Sequence, residues 1–457
     1  MILLILLVAC VQNLTKSQEG AIASHERATP CVGADQCVQE QATHEVVASP
    51  AAIATVTPCA ANKQLYAPSP TGLLGALVYE SIEDTLHLIG GHPLTERRLE
   101  IDDPSFSFYP VGFSPGGVWL AYRTGSPYEG ILQTIHLLSS SGEVVQTTPT
   151  ELVPTEAGTF KGTWGSVLWV NDETMLIYIA QPHPEYPDAS PLMIKALLNP
   201  FTGEWQPAYL EGLERQQTDT VAFAPDMTRV LFLHIEGPLA EVRLQDTIQQ
   251  NLLWSRGADL ETSFAWEKNW AGGAAWSPDS NWVAFTVIER QEEGESLPGS
   301  GVYLLDREGE TGKIITDFEA RYGRTDFDVR RGSDFATSAL SWSPDGRYLA
   351  MSVSIASDDP NNPYMPENRL YLYDLKHDEL IDLCWFRSSV AGGRSTTNAL
   401  VWSPDSQYLA YVADPSVSED NQHLPSTLIL VDIYTGEVIE LVENAVLLGG
   451  WSAPFTP

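Results

Sequence analysis

Three stretches of this chain repeat one pattern of apolar and polar positions: AAWSPDSNWVAFTV from residue 274, LSWSPDGRYLAMSV from 340 and LVWSPDSQYLAYVA from 400. Each is a short apolar run ending in tryptophan, a polar tetrapeptide and a second apolar run. Ser343, Pro344, Asp345 and Gly346 suit a type I turn, because Pro presets the first central dihedral, Asp tolerates the second and Gly closes the fourth position. The pattern predicts two strands joined by that turn. After Arg347 both alternating sets, Tyr348, Ala350 and Ser352 against Leu349, Met351 and Val353, are largely apolar or small. Such a strand is covered on both faces, as in a sheet sandwiched between others of its own kind.

The phrase recurs in degraded form as VGFSPGGVWLAYR at 111, VLWVNDETMLIYI at 167 and VAFAPDMTRVLFL at 221, with a final fragment, LLGGWSAP, at 447. The aligned aromatic anchors are Phe113, Trp169, Phe223, Trp276, Trp342, Trp402 and Trp451, spaced by 56, 54, 53, 66, 60 and 49 residues. A fixed motif at that period is a repeat architecture. Two more strands follow in each unit, visible as RLYLYDL at 369 with LIDLCW at 380, TLILVDI at 427 with EVIELV at 437, and GVYLLD at 301 with GKIITD at 312. Four antiparallel strands per unit, stacked radially, predict an all-β fold, the β-propeller. Second strands near 73, 118, 174, 229, 281, 347 and 407 number seven, and first strands also number seven only when the fragment at Trp451 is included. The expectation is therefore a seven-bladed propeller over residues 65–457, closed by the C-terminal strand pairing into blade 1 and so removing an open sheet edge. An eighth blade, or a first strand at LYAP (65–68), is the alternative, and Pro68 at the anchor position opposes the latter.

At the WSPD anchors the sequence resembles the WD40-like (PD40) repeats of TolB-like propellers and of the propeller domains of prolyl-oligopeptidase-type enzymes. The resemblance covers residues 66–457, with the full WSPD at Trp276, Trp342 and Trp402. What it implies is first of all a fold.

The first ten residues, MILLILLVAC, form an uninterrupted apolar run, too short to span a bilayer, which needs roughly 20 residues. The LVAC tetrapeptide resembles a bacterial lipobox, in which small residues precede a cysteine that takes a diacylglycerol. That resemblance implies a signal peptide at 1–9, a lipid on Cys10 and an extracytoplasmic protein anchored to a bacterial membrane. Residues 10–64, rich in Ala, Gln, Thr, Glu and Ser without apolar periodicity, then read as a flexible tether. A coil of that length has an end-to-end distance of roughly 40 Å. Cys31, Cys37 and Cys59 lie in the tether and Cys384 in the propeller. Outside the cytoplasm a Cys31–Cys37 disulfide is compatible with the spacing, but pairing is not deducible from sequence.

Charge narrows the partners. With 60 acidic residues against 25 Lys and Arg the formal charge is −35, which repels nucleic acid phosphates and argues against a nucleic-acid role. The nine histidines are scattered with no HExxH or comparable spacing, so no metal or other cofactor is implied. Gly112 to Gly116, GFSPG, matches the GxSxG pattern of a nucleophile elbow. Ser114, however, aligns with Ser277, Ser343 and Ser403 in the blade turn, where the strand-turn-helix context that the elbow needs is missing.

Loop lengths separate the two ends of the blades. Connections from first to second and from third to fourth strands are short (SPDG, SPDS, SSGE at 140, FTGE at 201, YTGE at 434), whereas those at the other end are long: 181–191, 288–300, 317–336, 355–368, 386–396 and 413–426. Variable loops on a rigid scaffold are where binding resides. Two of them, EARYGRTDFDVRRGSD (319–334) and FRSSVAGGRS (386–395), bring Arg321, Arg324, Arg330, Arg331, Arg387 and Arg394 to adjacent blades. These guanidinium groups suit a carboxylate or phosphate clamp; the plainer alternative pairs them with Asp326, Asp328 and Asp334 as solvated ion pairs. Tyr322, Phe327, Trp385 and Phe386 beside them suit a peptide or glycan contact. The acidic loops 357–368 and 414–423 offer oxygen ligands for Ca²⁺, yet lack EF-hand spacing, and Asn, Asp and Pro are also ordinary turn formers. The reading that follows is a membrane-tethered propeller that binds a protein, peptide or cell-wall ligand without catalysis. Its rival is a hydrolase or lyase acting on glycans, with Asp326, Asp328 or Asp334 as acid and base at the channel mouth.

Overall fold

A computed structural model describes residues 55–59, 69–83, 85–99, 109–124, 134–139, 144–149, 153–155, 158–160, 163–181, 192–208, 221–236, 239–259, 274–287, 301–317, 340–355, 367–386, 389–390, 400–414 and 426–454. The described residues from Thr55 onward belong to one compact unit, which begins at Ala54.

Blade 6 shows the plan. Its strands, Leu340–Trp342, Tyr348–Ile355, Glu367–Asp374 and Glu379–Phe386, pair antiparallel in chain order. Blades 2, 3, 4 and 5 repeat it over residues 109–149, 163–207, 221–259 and 274–317. Blade 7 departs slightly, since its first strand is split into Ser389–Val390 and Val401–Trp402, both pairing with Tyr408–Asp414. Blade 1 is assembled from both ends of the propeller: Leu73–Ser81, Leu86–Gly91 and Thr95–Arg98 are joined by Ala445–Trp451 in the order that makes the last strand the first. The predicted closure is thus present, with Leu77 opposite Trp451 and Ser81 opposite Ala445. Ala445–Trp451 also lies against the first strands of blades 2 and 7, which shuts the ring. A short hairpin, Val153–Thr155 with Gly158–Phe160, sits in the connection between blades 2 and 3 and was not legible in the strand pattern.

The core lies between blades. Seven clusters of buried apolar residues correspond one to one with the seven seams. Within a strand, successive side chains serve successive seams. Val283 and Phe285 pack toward blade 4 while Ala284 packs toward blade 6, and Leu349 and Met351 pack toward blade 5 while Tyr348 and Ala350 pack toward blade 7. This is why the second strands carry no polar face, and why Tyr348, Leu349, Ala350 and Met351 are all fully buried.

A strap adds to the seam between blades 6 and 7. Within the segment read as tether, residues 55–59 lie on the propeller: the Thr57 amide donates to the Ile433 carbonyl (2.8 Å) and the Cys59 amide to the Leu383 carbonyl (2.7 Å). Val56 and Cys59 pack on that seam's core. Cys59 forms a disulfide with Cys384, Cα atoms 5.1 Å apart. Gly436 accommodates the crossing, because its φ of 70° is left-handed and a Cβ there would stand 2.6 Å from the Pro58 carbonyl oxygen. Cys31 and Cys37 lie outside the described residues.

Candidate functional site

The short turns from first to second strands are described in full. At the short-turn end each WSPD serine closes its own hairpin. The Ser343 hydroxyl donates to Asp345 Oδ1 (2.5 Å) and accepts from the Tyr348 amide (2.9 Å), and the arrangement repeats at Ser277 with Asp279 and at Ser403 with Asp405. Ser114 belongs to this set: its Oγ accepts from the Trp119 amide (3.3 Å) and the residue is buried. A buried turn serine facing a backbone amide is no nucleophile.

The fourth turn residue is left-handed throughout, with φ of 70° at Gly346, 60° at Ser280 and 59° at Ser406. The two serines hold it while reaching to the preceding blade. Ser280 Oγ accepts from the Asp226 amide (3.1 Å) and Ser406 Oγ from the Asp345 amide (3.3 Å). Similar bonds join blade 2 to 3 (Gly116 amide to Asp172, 2.8 Å) and blade 3 to 4 (Asn171 Nδ2 to the Pro225 carbonyl, 3.0 Å). The tail completes the set, the Ala453 amide donating to the Gly117 carbonyl (2.7 Å).

The aspartate that ends the third strand is a second repeated device, unassigned in the sequence reading although RLYLYDL and TLILVDI display it. Asp374 Oδ1 accepts from the Lys376 and His377 amides, and Asp432 Oδ1 from those of Tyr434 and Thr435. Asp246 and Asp306 cap their turns in the same way. The other carboxylate oxygen then binds the strand beside it: Arg347 reaches Asp374 (2.8 Å), Gln407 reaches Asp432 (2.7 Å) and Arg229 reaches Asp246 (2.7 Å). Arg229 also bridges to Glu308 of blade 5 (2.9 Å), and Arg307 of that blade returns to Asp226 (3.1 Å). Burial alone would raise the pKa of Asp374, but the bonds from Arg347 and His377 outweigh it and bring it to about 2. The short-turn end is therefore internally engaged, its charges turned to holding neighbouring blades together.

The arginines singled out in the sequence belong to the long connections. Arg321, Tyr322, Arg324, Phe327, Arg330, Arg331, Arg387 and Arg394 lie outside the described residues, as does Cys10. Trp385 is placed by its backbone alone, in Glu379–Phe386 opposite Arg369. What the fold does fix is where the two arginine-bearing connections are rooted. One spans Asp317 to Leu340, the other Phe386 to Val401, and both lead into first strands that touch, Trp402 Nε1 donating to the Ser341 carbonyl (3.0 Å). The roots of the two connections are neighbours.

One constellation at this end escaped the sequence reading. In blade 1 Ser81 Oγ and Thr85 Oγ1 share a hydrogen bond (2.8 Å), Thr85 Oγ1 meets His87 Nε2 (2.8 Å), and His87 Nδ1 stands 2.8 Å from Glu96, which also accepts from the Tyr79 hydroxyl (2.5 Å). Burial and then the Glu96 carboxylate hold the Tyr79 phenol protonated well above its usual range. A hydroxyl, an imidazole and a carboxylate in series suggest a nucleophile relay, yet the adjacent amides of Ser81 and Ile82 already donate to the Thr85 and Asn444 carbonyls. Those two amides are not available to an oxyanion, so the series ties three strands of blade 1 together. Its signal, alternate polar residues in SIEDTLHL, is too common in surface hairpins to single out.

No family model and no curated protein matches the sequence. Solved structures that it resembles include TolB from Acinetobacter baumannii, at 15% identity over 68% of this chain and 66% of that one, with a TM-score of 0.34. Oligogalacturonate lyase from Vibrio parahaemolyticus is similar at 12% identity over 82% of this chain and 87% of that one, with a TM-score of 0.45. The propeller assignment rests on this chain's own strand pairing, and no site is carried over from either neighbour.

Proposed function

We propose that this protein is a membrane-tethered, extracytoplasmic propeller that binds a protein, peptide or cell-wall ligand through its long-connection face, without catalysis of its own. The observation that supports the reading is that the two arginine-bearing connections are rooted on adjacent first strands of a closed ring. At one end turn serines, aspartates and arginines are engaged with one another across the seams. At the other end two connections rooted side by side hold six arginines. Guanidinium groups suit carboxylate or phosphate groups on a ligand, and variable loops on a rigid ring suit selection among ligands. The Cys59–Cys384 disulfide supports an oxidising compartment.

Capture from solubilised envelopes with the full chain, followed by mass spectrometry, tests the proposal. The wild-type chain should retain a specific partner, and a variant with Arg321, Arg331 and Arg394 all changed to Ala should lose most of it. Undiminished capture by the triple variant would remove the arginines from the site. A Cys10→Ser chain should move from the membrane to the soluble fraction, and its retention in the membrane would overturn the lipid anchor.

A further inference from the structure

The strap is held in place chiefly by its disulfide. Of residues 55–59, Thr55, Thr57 and Pro58 are exposed and Val56 and Cys59 are half-buried. Among the described residues its other attachments are the two backbone bonds to the Ile433 and Leu383 carbonyls and the packing of Val56 and Cys59 on the seam. Two hydrogen bonds and one half-buried valine do not offset the conformational freedom that five ordered residues give up. The seam beneath is built differently. Tyr348, Leu372, Trp402, Tyr411 and Val431 pack there from the two blades. The Trp402 indole and the Ser406 hydroxyl join blade 7 to Ser341 and Asp345 of blade 6. These contacts do not pass through the strap.

We propose that Cys59–Cys384 is a redox latch: a dithiol that reduces it frees residues 55–59 from the seam while the seven blades stay closed. Cys384 is buried and Cys59 only half-buried, so a thiolate enters at the Cys59 sulfur. It bonds to Cys59 Sγ as the S–S bond breaks, and Cys384 leaves as a thiolate. The second thiol of the reductant then displaces Cys59, so that the dithiol ends as a disulfide and its two protons end on Cys59 and Cys384. Release deprives the Ile433 and Leu383 carbonyls of their donors and strips Val56 and Cys59 from an apolar border that Ile381, Tyr434 and Val438 share. Leu383 is moreover the extra residue of a β-bulge, since Leu370 pairs with Cys384 and Tyr371 with Asp382, and its carbonyl lies outside the ladder of its own sheet. Oxidation covers this strip and reduction bares it, so the outer edge of the seam opens only where a dithiol reductant reaches the protein.

Hydrogen exchange on the full chain, read by mass spectrometry before and after treatment with dithiothreitol, tests the latch. Alkylation of both Cys59 and Cys384 after treatment verifies the reduction. The Thr57 and Cys59 amides, bonded in the oxidised protein, should then exchange at least about tenfold faster, while Tyr348–Ile355 and Thr427–Asp432 keep their protection. Cys59→Ser should show the same loss at the Thr57 amide with no reductant present. Strap amides that stay protected after reduction, or a protected Thr57 amide in Cys59→Ser, would overturn the latch, because the noncovalent contacts then suffice to seat the strap. Loss of protection in the two strands as well overturns it in another way, making the disulfide a staple of the ring. A bond that dithiothreitol leaves intact in the folded chain overturns it too.

Discussion

Ser280 and Ser406 occupy a backbone region that costs an L residue about 1 kcal/mol or more, where blade 6 has Gly346 instead. Nothing lies within 4 Å of the Cβ that Gly346 lacks, whereas the serine hydroxyls each hold the preceding blade. The trade is strain for a bond across a seam. Ser280→Ala keeps the strain and loses the bond, and should destabilise by roughly 1–2 kcal/mol. Ser280→Gly loses the bond but relieves the backbone, and should be close to neutral; urea unfolding midpoints of the two variants separate the terms.

Asp374 makes a second prediction at this scale, set by pH. Its folded pKa of about 2 lies below the usual 3.8, so the unfolded chain takes up the proton first as pH falls. The stabilisation, on the order of 2 kcal/mol, is complete above about pH 5 and lost progressively between about pH 4 and pH 2. In Arg347→Gln the carboxylate loses its guanidinium partner, and acid unfolding followed by circular dichroism should begin at higher pH than in the wild type.

At the scale of the strand and turn, the tryptophan anchors do more than fill space. Trp169, Trp276, Trp342 and Trp402 each donate an indole N–H, at 2.9–3.0 Å, to the carbonyl of the residue just before the anchor of the preceding blade. Trp451 departs from the rule, donating to Leu74 of its own blade (2.8 Å), where the tail is inserted. Phe113 and Phe223 hold the same position with no such donor, so Trp342→Phe should fold normally and cost about 1 kcal/mol, read from the unfolding midpoint. These elements were legible because they are local. Ser343, Pro344, Asp345 and Gly346 specify their hairpin within four residues, and the doubly apolar strand at 348–353 betrays a layer on each side. The role of Asp374 and Asp432 was not legible, since an aspartate at a strand end is also an ordinary turn former. The arginine-bearing connections could be located but not arranged, because only the strands that root them obey a period.

Over the whole molecule, one contact was beyond any local reading. Cys59 and Cys384 are 325 residues apart, and composition alone assigns residues 55–59 to the tether, since Val56 and Cys59 gain their apolar role only from a seam assembled elsewhere. Cys384→Ser, or a reductant on the wild-type chain, should destabilise by about 2–4 kcal/mol. Thermal unfolding with and without reductant checks it: the wild type should shift down and Cys384→Ser should not respond.

The shared first blade also bears on biogenesis. Synthesis delivers Leu73–Ser81 early and Ala445–Trp451 last, so the partner that Leu77 and Tyr79 require does not yet exist while the intervening blades emerge. A nascent chain holds one edge of its opening sheet bare until all the intervening blades have emerged, and the all-or-nothing step of folding waits on the arrival of that one late strand.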